Sequence, residues 1–140
     1  MEDKAETEFR GSETILLVED DDHVRASVRR ILEHYGYQVL EAYDAQAALG
    51  LVQQKAVNYD LVLTDIMMPG LSGGDLVERL QAIKPQVKVL FMSGYADGEL
   101  IPDDVFDVLD SGKHFLEKPF KPEVLVAKIR QVLDTVDRTE

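Results

Sequence analysis

Asp65 closes an apolar run, Tyr59-Asp-Leu-Val-Leu-Thr-Asp65, and stands immediately before Ile66-Met-Met-Pro69-Gly70. A carboxylate at the C-terminal end of a buried strand sits where open α/β sheets hold their ligands. Two further features converge on it from a distance: the acidic cluster Glu19-Asp20-Asp21-Asp22 after the strand-like Ile15-Leu-Leu-Val18, and Lys118 in Phe115-Leu-Glu-Lys-Pro-Phe120. Carboxylates crowded at one point repel each other, and a hard cation with oxygen ligands relieves the repulsion. Mg²⁺ is the expected ion, because it accepts one or two protein carboxylates and keeps waters that a phosphate oxygen can replace. Asp20 and Asp65 are the expected direct ligands, Glu19 one that acts through water, and the backbone carbonyl of Met67 a further ligand. If Asp65 is the nucleophile, an acyl phosphate forms on it while the cation and Lys118 neutralise charge on the transferring group. Ser93, after Val89-Leu-Phe-Met92, would donate its hydroxyl to the phosphoryl oxygens, and Gly94 would leave the approach sterically open.

Each residue has a plainer role when taken singly. Acidic residues after a strand commonly cap the next helix, which is the expected role of Asp21 or Asp22. Asp-x-x-x-Pro-Gly is ordinary turn chemistry, and an isolated lysine is by default solvated. The coincidence of several strand ends, rather than any one residue, argues for a site. His23, His34 and His114 have no metal-ligand spacing and read as surface or helix-end residues.

These groups meet only if the elements carrying them run parallel. Short apolar runs alternate with amphipathic segments, predicting strands at about 14–19, 38–42, 60–65, 87–92 and 113–117 and helices at about 22–35, 44–56, 73–83, 97–109 and 122–136. Val24, Val28, Ile31, Leu32 and Tyr35 share a face of the first helix, and Gly36 follows where a left-handed cap is wanted. Pro122 suits the first turn of the last helix, whose stripe is Leu125, Ile129, Val132 and Val136. The fourth helix is the weakest, since Asp97–Asp110 combines Gly98, Pro102 and many Asp residues. Strands starting at Ile15, Leu61 and Val87 are apolar nearly throughout and suit the centre of a parallel sheet, whereas Gln38-Val-Leu-Glu41 alternates and suits an edge. The fold expected is α/β, a doubly wound parallel sheet of five βα units. In it the ends of strands one, three, four and five meet along one edge, bringing Glu19, Asp20, Asp65, Ser93 and Lys118 together.

Composition narrows the function. The 140 residues, 45% of them hydrophobic, suffice for one core and one domain. Residues 1–12, closed by Gly11-Ser12, read as a flexible N-terminal tail before a domain at 13–137. Fifteen Lys and Arg against 27 Asp and Glu give a charge of −12, which repels polyanions, so direct nucleic-acid binding is not expected. The absence of Cys excludes disulfides, thiolate zinc sites and a cysteine nucleophile. The charged start Met1–Glu8 is unlike a signal peptide and no run has membrane-span length, so no membrane association and a cytoplasmic location are expected.

Leu16-Leu-Val-Glu-Asp-Asp, Asp60-Leu-Val-Leu-Thr-Asp-Ile-Met-Met-Pro-Gly, Phe91-Met-Ser-Gly-Tyr-Ala-Asp and Phe115-Leu-Glu-Lys-Pro-Phe together resemble the response-regulator receiver domains of two-component signalling. The similarity runs from about Glu13 to Val136. It implies a flavodoxin-like (βα)5 fold with strand order 2-1-3-4-5 and a cis peptide between Lys118 and Pro119. It also implies that Asp65 takes phosphate from the phosphohistidine of a histidine kinase or histidine phosphotransfer protein, with Glu19 and Asp20 at Mg²⁺ and Ser93 and Lys118 on the phosphoryl group. Such a domain is not an enzyme in the usual sense; it assists its own phosphorylation and slow autodephosphorylation. In the family, activation repacks the face of the fourth helix, fifth strand and fifth helix, here Asp97 to Val136, and homodimers can form through it. Met92-Ser-Gly-Tyr-Ala-Asp97 resembles the receivers of hybrid histidine kinases. Two departures stand out. The acidic pair is Glu-Asp rather than the commoner Asp-Asp, which lengthens one arm and keeps the charge. Phe115 replaces a frequent tyrosine, so the ring either swings inward as Ser93 is drawn to phosphate, without bringing a hydroxyl, or stays as a fixed core ring.

Two rival functions share parts of this pattern. A haloacid-dehalogenase-like phosphohydrolase also uses a strand-end Asp and Mg²⁺, but wants a second Asp at position 67, which is Met. A flavodoxin-like cofactor binder would have its phosphate repelled by Glu19 to Asp22. A receiver-shaped interaction domain that is never phosphorylated is compatible with the same residues.

Overall fold

The computed structural model describes residues 9–55, 58–66, 68, 70–93 and 114–134. The element order is β1 (Thr14–Val18), α1 (Asp22–His34), β2 (Gln38–Ala42), α2 (Ala45–Lys55), β3 (Leu61–Asp65), α3 (Gly73–Ile83), β4 (Lys88–Ser93), β5 (His114–Glu117) and α4 (Pro122–Leu133). The strands form one parallel sheet of order β2-β1-β3-β4-β5. Both the doubly wound α/β architecture and the order implied by the resemblance are found. The helix expected at 97–109 lies outside the described residues.

Alternation along the strands divides the core in two. Side chains on a strand point to opposite faces in turn, so Leu16, Val18, Val62, Val89 and Phe91 pack under α2 and α3, with Ala48, Val52, Leu76 and Leu80. Ile15, Leu17, Leu61, Leu63, Leu90 and Met92 pack on the other face under α1 and α4, with Val28, Leu32, Leu125 and Ile129. Every residue of β3 is buried, whereas β2 is exposed at Gln38 and half-buried from Val39 to Glu41, as an edge strand should be.

Helix termini set where the chain turns at the site edge. The Asp21 carboxylate caps α1, accepting from the N–H groups of His23 and Val24 at 2.9 and 3.1 Å, so the expected capping role falls to Asp21. Gly36 follows α1 with φ 99°, a left-handed conformation that glycine tolerates best. Ser72 caps α3 through the N–H of Asp75, and Pro122 opens α4. The Lys118–Pro119 peptide is cis.

At the opposite edge, Phe9 and Gly11, within the stretch expected to be a tail, pack against the sheet and α1. The Gly11 N–H bonds to the Tyr35 carbonyl at 3.0 Å, the Tyr37 hydroxyl donates to the Phe9 carbonyl, and Phe9 packs against the α1/α4 core. No helix among the described residues is long and apolar enough to cross a membrane.

Candidate functional site

Parallel pairing carries Glu19 and Asp20, just past β1, to the side of Asp65, the last residue of β3. The Val18–Thr64 register sets their heights, and the Glu19 N–H is held by the Ala42 carbonyl at 3.1 Å. On the far side of Asp65, β4 and β5 bring in Lys118. Its ammonium lies 2.6 Å from an Asp65 oxygen and 2.5 Å from a Glu19 oxygen. The Glu19 and Asp65 side chains are 1% and 7% exposed, so two carboxylates share one lysine almost out of water.

Such a pair cannot hold two full negative charges comfortably. Burial, and next the neighbouring Glu19, push the Asp65 carboxyl up to about 8, Lys118 only partly opposing them. Burial also raises Glu19, but its bonds with Asp65, Lys118 and the Asp21 N–H outweigh it and hold Glu19 below the ordinary carboxylate range. The ammonium of Lys118 is disfavoured by burial, yet the two carboxylates keep its pKa above the usual lysine value. Burial thus favours the neutral form of Asp65, while the shared lysine favours the ionised form of Glu19.

Asp20 stands at the exposed mouth, raised by partial burial and then by Glu19. One carboxylate oxygen from each of Glu19, Asp20 and Asp65 can be chosen so that all lie within 4.8 Å of one another. Three oxygen donors, two buried and one facing solvent, fit a hard divalent cation that keeps water on its open side.

The backbone at Asp65 is tightly enclosed. The Ile66 N–H bonds to the Met92 carbonyl at 3.1 Å, and the Gly73 N–H to the Ile66 carbonyl at 2.8 Å. A Cβ at Gly73 would lie 2.1 Å from the Asp65 carbonyl oxygen, so only glycine lets α3 approach this closely.

The structure brings together four of the residues expected at the site: Glu19, Asp20, Asp65 and Lys118. Ser93 ends β4 with its backbone in register with Glu117, while its side chain and Met67 lie outside the described residues. Phe115 is half-buried and stacks on Phe91, with ring centroids 5.5 Å apart. Sequence reasoning missed Gly73 and Arg25. Arg25 donates to the Glu19 carbonyl at 2.8 Å, and its one local signal was Asp22 three residues earlier on the same helix.

The response regulator receiver domain model matches residues 15–130, and the chain belongs to that family, whose members carry signals in two-component systems. It is 36% identical over 119 residues to the response regulator receiver protein CpdR of Brucella abortus (strain 2308), covering 85% of this chain and 95% of CpdR. It is also 36% identical over 134 residues to the sensor kinase CckA of the same organism, covering 94% of this chain but only 14% of CckA. Among solved structures, the receiver domain of the hybrid histidine kinase CckA superposes with a TM-score of 0.70 at 34% identity, covering 86% of this chain and 99% of that one.

Proposed function

We propose that the chain is a phosphoacceptor domain of a two-component phosphorelay, residues 13–137 forming the receiver and Asp65 taking a phosphoryl group from the phosphohistidine of a histidine kinase or phosphotransfer protein. The observation that carries this reading is the buried Asp65 carboxyl held 2.6 Å from Lys118 within a three-carboxylate cluster. An Asp65 oxygen forms a bond to phosphorus as the phosphorus–nitrogen bond to the donor imidazole breaks; the imidazole keeps the electron pair and takes up the proton that Asp65 gives up. Lys118 then turns from Glu19 toward the added oxygens, which Ser93 meets with its hydroxyl. Glu19, Asp20, Asp65 and the Met67 carbonyl would hold Mg²⁺, which supplies positive charge where the phosphoryl oxygens gather. Water slowly hydrolyses the acyl phosphate, returning the domain to rest.

A groove of about 320 Å³ lined by Val24, Val28, Ile31, Pro119 and Phe120 opens beside Lys118, and supports docking of the donor domain near Asp65. The phosphorylated state is read on the face from Asp97 to Val136, with Phe115 following Ser93. Similarity to the CckA receiver favours a partner of hybrid-kinase type. The test is intact-mass analysis after incubation with Mg²⁺ and a small phosphodonor. One acid-stable, base-labile phosphate is expected on the wild type and none on Asp65→Asn; an unmodified wild type would refute the assignment.

A further inference from the structure

The Glu19–Asp20 peptide is the hinge of the acidic pocket, since one of its residues is buried under Lys118 and the other faces solvent. Its backbone is pinned on both sides. The Glu19 N–H bonds to Ala42 of β2, and the Asp21 N–H returns to the Glu19 carboxylate at 3.0 Å. Between those anchors, the Glu19 carbonyl accepts from Arg25. The same guanidinium contacts the Asp22 carboxylate at 2.6 Å and Glu41 of β2 at 3.6 Å, and the side chain is only 18% exposed. A planar guanidinium can serve three acceptors in different directions, which an ammonium on a flexible stem cannot do with fixed geometry.

We propose that Arg25 is a positioning residue for the divalent cation: by holding the Glu19 carbonyl it sets the torsions that aim the Asp20 carboxylate at the point where Glu19 and Asp65 converge. The inference rests on the reading of the pocket as a cation site. It sets two effects of Arg25 against each other. Its charge, near the pocket, repels a cation, so a purely electrostatic role predicts tighter binding when it is removed. A positioning role predicts weaker binding. A brace for the fold alone predicts a lower melting temperature with unchanged affinity.

Arg29 provides the control, because it pairs with the same Glu41 at 2.9 Å and with Glu33 at 3.8 Å from the more exposed side of α1. Mg²⁺ alone is titrated calorimetrically into the full chain as wild type, Arg25→Met, Arg25→Lys and Arg29→Met, with thermal unfolding in chelator run in parallel. Arg25→Met should weaken Mg²⁺ binding about tenfold, in the range found when groups supporting metal ligands are lost. Arg25→Lys should fall between it and the wild type, and Arg29→Met should stay within about twofold of the wild type, as expected for an exposed pair. Affinity in Arg25→Met equal to or tighter than in Arg29→Met overturns the proposal. If Arg25→Met does not fold, wild-type affinity in Arg25→Lys overturns it equally. A wild type that takes up no Mg²⁺ removes the cation site itself and this inference with it, whereas a wild type that binds while both Arg25 variants match it removes the inference alone.

Discussion

Two acids share one base at the strand ends, and opposite substitutions should expose the imbalance. Lys118→Met leaves two buried carboxyls without a cation and should destabilise the metal-free protein by ~3 kcal/mol in denaturant titration, within the range for breaking buried ion pairs. Asp65→Asn leaves a one-to-one pair and should stabilise instead. The pH dependence fixes the sign. With a folded value of about 8 against an ordinary 3.8, Asp65 keeps its proton in the folded state over the interval where the unfolded chain loses it. Its contribution is complete below about pH 4 and declines as pH rises toward 8. Thermal melts in chelator should therefore fall between pH 5 and 8.5 for the wild type. In Asp65→Asn the slope should flatten, leaving the variant more stable at pH 8 by on the order of 2 kcal/mol. An unchanged slope in the variant would remove Asp65 as its source. Most of this chemistry was legible in the sequence, because Glu19, Asp65 and Lys118 each follow an apolar run and parallel strands must deliver such ends to one edge. Arg25 was not legible, since a backbone carbonyl as partner leaves no trace in residue types.

Elements matter here for how closely they approach. α3 starts against the Asp65 peptide because Gly73 has no side chain, and the obstacle to adding one is backbone that cannot swing aside. Gly73→Ala should cost ~2–3 kcal/mol, as overpacking does, and should slow phosphorylation of Asp65 more than that of a variant equally destabilised elsewhere. Equal rates at matched stability would show that the contact serves only the fold. The strands and α3 were readable from periodicity, since β1 and β3 are buried on both faces and α3 has its apolar stripe. The approach of α3 to β3 was not, because Gly73-Gly74 in a sequence signals only a turn or a loosened helix.

Across the whole molecule, Arg130 ties α4 to the start of the sheet over 117 positions. It contacts both Glu13 oxygens at 2.9 Å, the Tyr37 hydroxyl at 3.2 Å and Asp134 at 2.6 Å. Arg130 holds the Glu13 carboxyl below its ordinary range, so this contribution is present above the unfolded value and is lost as pH falls through the folded one. Arg130→Met should reduce stability at pH 7 by ~1 kcal/mol, as for a partly exposed charge network, and the gap from wild type should close as pH falls below the ordinary carboxylate range. A gap of constant size would assign the loss to packing of the arginine stem. This knot and the Phe9–Gly11 segment joined to it escaped sequence reading, since long-range pairs leave no periodic signal and one Phe among polar residues looks like a tail. At the other edge, the amine of Lys118 lies between two acids and balances part of their charge from within the chain. On the proposed reading, withdrawing magnesium should silence the domain rather than melt it: near neutral pH a chelated sample keeps its hydrogen-exchange protection while refusing the phosphodonor's label, and the metal acts as a licence to signal.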